Sequence, residues 1–233
     1  MPPRLSKINL WKRHEERVCE VISEALIRLQ KRTQLLQNED ALNRELLSCL
    51  REANADLREI NKGVSTPFYL EARKQPSADH TTIHNSENKR PDLQNGFVDH
   101  NEKDPHKQDR FFHVECKRLG DPPSRSWILN EQYCQNGISR FVRNSHQYGR
   151  DVDSGAMIGY VESSDFGPIL DDVNSEISNE FPDLEKLVNS PPWSNDSSNL
   201  IEQVLIRNFP ISPFTLKHFW IDLRVTNNSG PDL

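Results

Sequence analysis

The stretch Arg110-Phe-Phe-His-Val-Glu-Cys-Lys-Arg-Leu119 constrains this chain more than any other. Its apolar and aromatic content reads as a β-strand. Side chains two apart on a strand share a face, so Glu115 and Lys117 project together while Cys116 points the other way. Glu and Lys are seldom set in an apolar strand without a reason. Pro91-Asp92 stands a hairpin's length upstream: Asp92-Leu-Gln-Asn-Gly-Phe-Val98 forms one strand, and a very polar turn over residues 99–109 leads into the next. Two carboxylates from neighbouring strands and a lysine are the parts needed to hold Mg²⁺ and orient a water against a phosphodiester. The competing reading is an ordinary hairpin with an exposed Glu–Lys pair on its wet face.

Around this hairpin the pattern alternates between helix and strand. Val18, Val21, Ile22, Ala25, Leu26 and Leu29 recur at helical steps within residues 10–32,. A second helix is expected from Asn38 to Asn61, with Asn38 as N-cap and Glu39 and Asp40 in the first turn, where the helix dipole favours negative charge. Pro67–Ala72 reads as a short first strand. Residues 74–90 contain almost no apolar side chain and read as a mobile loop, as does the turn over 99–109. Trp127–Ser145 reads as a helix interrupted by Gly137. Ala156–Val161 has the continuous apolar run of a buried strand. A helix over Asp165–Phe181 and strands over Ile201–Phe209 and Phe214–Val225 complete the chain.

Composition narrows the function classes. The chain has 233 residues, 34% of them hydrophobic, and a formal net charge of −6. A general nucleic-acid binder would be basic, so substrate capture by this chain calls for a local basic surface, a homo-oligomer or a protein partner. No apolar run approaches a membrane span, and the N-terminus lacks the core of a secretory signal. Cys19, Cys49, Cys116 and Cys134 are widely spaced, with no C-x-x-C, which points to free thiols in a reducing cytoplasm,. His80 and His84 are four apart but lie in a polar loop without a third ligand. There is no G-x-S-x-G and no glycine-rich phosphate loop. Tyr148, Trp127, Trp193 and Trp220 are aromatic candidates for base stacking.

The Pro-Asp, Glu-x-Lys and α-β-β-β-α-β order, from about Glu39 to about Glu162, resembles the PD-(D/E)XK nuclease superfamily. That resemblance implies an α/β fold: a restriction-endonuclease-like core with a central mixed sheet flanked by helices. Residues 1–37 would be an N-terminal helical extension, 38–162 the nuclease core, and 163–233 a helix and strands completing the sheet of a single domain. It implies that Asp92, Glu115 and the Cys116 carbonyl bind Mg²⁺, with Mn²⁺ as a substitute, and that Lys117 positions the attacking water. The family's helix carboxylate would be Glu39, with Glu45 second in line. Gln132, Arg140 and Arg143 would contact nucleic acid. The implied activity is a metal-dependent endonuclease acting on DNA in a bacterial or phage-related defence or restriction system. The alternative is a non-catalytic or partner-activated subunit built on the same fold.

Overall fold

The computed structural model describes residues 10–32, 38–74, 85–189, 193–194 and 198–224. Helix α1 (Leu10–Gln30) buries the stripe from Val18 to Leu29. Helix α2 (Glu39–Glu59) buries Leu42, Leu46, Cys49, Leu50 and Ala53 against it. Removing side chains of this size from water stabilises by about 1.5–3 kcal/mol each, whereas the rim ion pairs Arg28–Asp56 and Arg32–Glu52 contribute little,. The Asn38 side chain accepts the Ala41 amide and closes the first turn of α2.

Six strands form one mixed sheet: β1 (Phe68–Leu70), β2 (Leu93–Val98), β3 (Asp109–Leu119), β4 (Ser154–Val161), β5 (Asn199–Leu205) and β6 (Phe214–Asp222). Their spatial order is β1-β2-β3-β4-β6-β5. The first three make an antiparallel meander, β3, β4 and β6 run parallel, and β5 closes the far edge antiparallel to β6. A parallel centre is covered on both faces, and every residue of β4 is buried. As an interior strand, β6 and the residue after it bury Leu216 and His218 to Leu223 on both faces.

Odd and even residues of the sheet meet different helices. Tyr160, beside Arg118 in the register, donates to Asn43 of α2, so the Cys116 side chain points to the α1–α2 layer. Glu115, Lys117 and Met157 face the other layer, which is built from α3 (Leu129–Tyr133), a π-helical turn (Cys134–Ile138), α4 (Ser139–Val142) and α5 (Phe166–Glu180). The single helix expected over Trp127–Ser145 is thus three short pieces. Gly137 explains the break: a Cβ there would lie 2.4 Å from Met157 Cε and 3.4 Å from Lys117 Cγ. Only a glycine lets this turn sit so close to the sheet.

The loop expectations need correction. Lys74 is 4% exposed and its ammonium donates to Ser86 Oγ at 3.4 Å, with a 3₁₀ turn over Asn85–Asn88. Residues 75–84, and with them His80 and His84, fall outside the described residues. The turn between β2 and β3 is stitched by Asp104 at the His106 amide and by Arg110–Asp99 at 3.1 Å. Cys49, Cys116 and Cys134 are buried and Cys19 partly so, all as free thiols. No helix among the described residues is long and apolar enough to cross a membrane.

Candidate functional site

The β2–β3 pairing runs from Val98–Asp109 to Leu93–Val114, and there β2 departs. Asp92, the next residue, replaces the missing strand: its Oδ2 accepts the Cys116 amide at 2.7 Å. The edge of β3 is thereby opened at Glu115–Lys117 while its free amide stays satisfied. Cys116 presents its carbonyl at the same point, 2.6 Å from Lys117 Nζ.

Lys117 gathers the carboxylates. Its ammonium lies 2.5 Å from Glu39 Oε1, 3.0 Å from Glu115 Oε1 and 3.6 Å from Asp92 Oδ2. The Asp92 and Glu115 oxygens are therefore less than twice that longest distance apart. Glu39 enters from the first turn of α2, held there by the Asn38 cap. Glu45, the other candidate on this helix, pairs instead with Arg32, two residues past the end of α1. Arg140 of α4 reaches Glu115 Oε1 at 2.6 Å from the opposite layer.

Burial decides the character of the cluster. Glu115 has no exposed surface and Lys117 is 6% exposed, so the hairpin with a wet Glu–Lys pair is excluded. Burial pushes the Glu115 carboxyl well above the usual carboxylate range, and the Asp92 charge adds to this; Lys117 and Arg140 pull it down but are outweighed,. Glu39 is raised by burial as well, against Lys117. Burial also works against the Lys117 charge, yet Glu115, Asp92 and Glu39 outweigh it and hold the ammonium above its ordinary pKa. Neither Glu115 oxygen receives a hydrogen bond of sound geometry, although Lys117 and Arg140 lie within ion-pair distance of Oε1. A buried carboxylate in that condition has room for a proton or a cation.

Those donors fit a hard cation sparsely. Among the described residues, no three His, Cys, Asp or Glu side chains are grouped as a metal site; the Lys117 ammonium lies within ion-pair distance of all three carboxylates. What remains is two carboxylates and a main-chain carbonyl, all oxygen donors, which suits Mg²⁺ since that ion keeps several of its waters.

The cluster opens into a hollow of about 320 Å³ lined by Glu39, Lys117, Arg118, Trp127, Leu129, Gln132, Asn136 and Arg140. Gln132 is thus at the mouth, where it accepts from Asn136. Arg143 is not: it pairs with Glu180 at 2.7 Å and lies over Phe181. Of the aromatic candidates, Trp127 is 52% exposed at the hollow, whereas Trp220 and Tyr148 are fully buried. Trp193 stacks between Phe166 and Trp220.

Sequence reasoning named two contributors without finding their roles. Gly137 was readable only as a helix interruption, but it seats the π turn on the aliphatic stem of Lys117; π turns of this kind recur at functional sites. Tyr148, a candidate for base stacking from sequence, is instead buried beside Arg140 with a hydroxyl that has no well-aligned partner. Comparison with known proteins finds no family model, curated protein or solved structure that matches the chain.

Proposed function

We propose that this protein is a metal-dependent endodeoxyribonuclease of the PD-(D/E)XK type, with a restriction-endonuclease-like core. One observation carries the reading. Asp92, Glu115, the Cys116 carbonyl and Lys117 converge where β2 leaves β3, and the buried Glu115 carboxylate there lacks a hydrogen-bond donor. The antiparallel meander followed by a parallel crossover to β4 supports the same reading at the level of topology.

In this proposal Asp92, Glu115 and the Cys116 carbonyl hold Mg²⁺ or Mn²⁺. The bound ion supplies Lewis acidity toward a phosphoryl oxygen and eases deprotonation of a water. Lys117, with three donors and a compact charge, orients the attacking water and offsets charge developing on the phosphoryl oxygens. Glu39 keeps the Lys117 ammonium aimed into the hollow through its 2.5 Å contact. Arg140, 2.6 Å from Glu115 Oε1, favours the ionised form that a cation would need, against the burial that favours the protonated one. A defence or restriction role is the biological setting that fits a nuclease of this kind.

A second reading has one observation in its favour. Glu115 is wholly enclosed beneath Arg140 and Lys117, as expected of a subunit whose cleavage begins only when a partner moves Arg140. The two readings part in a single assay: supercoiled, linear and single-stranded DNA and RNA, each with Mg²⁺ or Mn²⁺ and with EDTA. Metal-dependent DNA cleavage by the isolated chain, lost in Asp92→Asn, is the expected result. Equal activity of wild type and Lys117→Ala on every substrate, at matched purity, would refute the catalytic assignment.

A further inference from the structure

A second pocket lies on the same face of β3, upstream of Glu115. It measures about 230 Å³ and is lined by Lys74, Pro105, His106, Asp109, Phe111, His113, Gly149, Arg150 and Asp151. Asp109, Phe111 and His113 alternate in step with Glu115 and Lys117, so they share their face,. His113 is 4% exposed and forms the floor beside the equally buried Lys74. The Gly149 amide donates to His113 Nδ1 at 2.9 Å. An Nδ1 that accepts a hydrogen bond carries no proton, so the proton of the ring is on Nε2. Nε2 has no hydrogen-bond partner among the described residues. Among those residues, the pocket thus holds an unsatisfied buried N–H donor next to a buried ammonium.

The charges around it are sorted by depth. Lys74 is at the floor and Arg150 is half-buried, whereas Asp109 and Asp151 are exposed at the rim, where water screens them,. Further cations continue toward the carboxylate cluster: the charges of Lys89, Arg140 and Arg143 all bear on His146, which packs edge-on against Tyr148. Tyr148 in turn packs on His113. Arg140 at the hollow and the His113 pocket are thus linked through Tyr148, although the whole chain carries a net charge of −6.

We propose that the His113–Lys74–Arg150 pocket binds a phosphate group of the nucleic-acid strand whose neighbouring phosphodiester lies at the carboxylate cluster around Glu115. His113 Nε2–H and the Lys74 ammonium donate from the floor, and the Arg150 guanidinium covers the remaining oxygens from the wall. His113 and Glu115 are two strand positions apart, ~6.6 Å along β3, which is comparable to one step between phosphates along a strand. The pocket sets the register of the strand over the cleavage point. This inference deepens the nuclease reading and rests on it for the identity of the phosphate's bearer.

The test is done without metal, so that cleavage plays no part. The full chain is titrated with inorganic phosphate and with short single-stranded DNA bearing or lacking a 5′-phosphate. The His113 imidazole resonances are followed by NMR and affinity by calorimetry. Expected are a saturable shift of the His113 Nε2–H signal with each phosphate-bearing probe and roughly tenfold weaker binding in Arg150→Ala, a half-exposed position whose loss the fold tolerates. Equal response to both oligonucleotides assigns the pocket to an internal phosphodiester; response only to the phosphorylated one assigns it to a strand end. Either supports the site. An unmoved His113 signal at saturating probe, or unchanged affinity in folded Arg150→Ala, overturns it. A pocket that binds phosphate in a protein that cuts nothing would leave this site standing and remove the nuclease reading alone.

Discussion

Two buried polar clusters lie under the same helical layer, and they are built to opposite rules. At the β6 end, Trp220 Nε1–H donates to the Tyr133 hydroxyl at 2.9 Å, which donates to His218 Nδ1 at 2.8 Å. His218 Nε2–H then donates to Gln203 Oε1, and Gln203 Nε2 to the Glu185 carbonyl. Each polar group in that chain has a partner, and no net charge is buried; burial holds His218 neutral by lowering its pKa to about 3. At the β3 end, three carboxylates share one ammonium and one guanidinium, and the most buried carboxylate accepts no hydrogen bond of sound geometry. A closed network specifies one packing arrangement. An open one retains capacity for something that the polypeptide does not itself provide, and that difference is how a site is told from a core.

The comparison breaks most visibly in cleavage. Asp92→Asn or Glu115→Gln should bring metal-dependent DNA cleavage to background while circular dichroism stays that of the wild type. Lys117→Ala should lose on the order of 100- to 1,000-fold in rate, as for removal of a donor that acts on developing charge, with metal affinity largely kept. Tyr133→Phe should do the reverse. It strands Trp220 Nε1 and His218 Nδ1, so urea denaturation should show a loss of about 2–4 kcal/mol with the specific activity of the folded fraction unchanged. Loss of cleavage out of proportion to unfolding in Tyr133→Phe would mean that the two clusters are one functional unit.

Gly137→Ala tests what joins them. The added methyl crowds Met157 and the Lys117 stem, and overpacking should outweigh the gain in helix propensity, for a net loss of about 1 kcal/mol in thermal unfolding. Cleavage should fall as well, because the ammonium is displaced; a neutral result in both would show that the π turn sits loosely on the sheet.

The smallest effects are in pH. Unfolded His218 takes up a proton below its ordinary pKa of about 6.5, whereas the folded side chain resists to about 3. Its burial therefore costs stability progressively as pH falls through that window. Glu115 acts oppositely: folded, it keeps its proton above the ordinary carboxylate pKa, so its burial costs stability as pH rises through the raised value,. Wild type minus Glu115→Gln should show a stability deficit that grows from pH ~4.5 upward and shrinks when Mg²⁺ is added. A pH-independent difference would place Glu115 in a relaxed, hydrated setting.

The strand character of Arg110–Leu119 and the shared face of Glu115 and Lys117 were legible because alternation is a property of the local backbone. The same holds for the stripes of α1 and α2 and for the buried run of β4. The choice between Glu39 and Glu45 was not legible, since both sit on one helix and the deciding partners, Lys117 and Arg32, come from elsewhere. Lys74 read as loop because its neighbours are polar; its burial depends on Ser86 and on β3, which no window around it contains. His113 looked like one more residue of an apolar strand.

By itself, then, the chain's sequence determined which segments are helix or strand and which side chains could share a face, because those follow from periods of 3.6 and 2 residues. Only the tertiary structure decided which charges are dehydrated and which oxygens lack donors. Glu39 meets Lys117 across 78 residues of chain, and Asp92 caps Cys116 only because β2 parts from β3 at Leu93. Desolvation depends on everything packed around a group, whatever its distance along the chain, and it is desolvation that makes Glu115 more than one acidic residue among many.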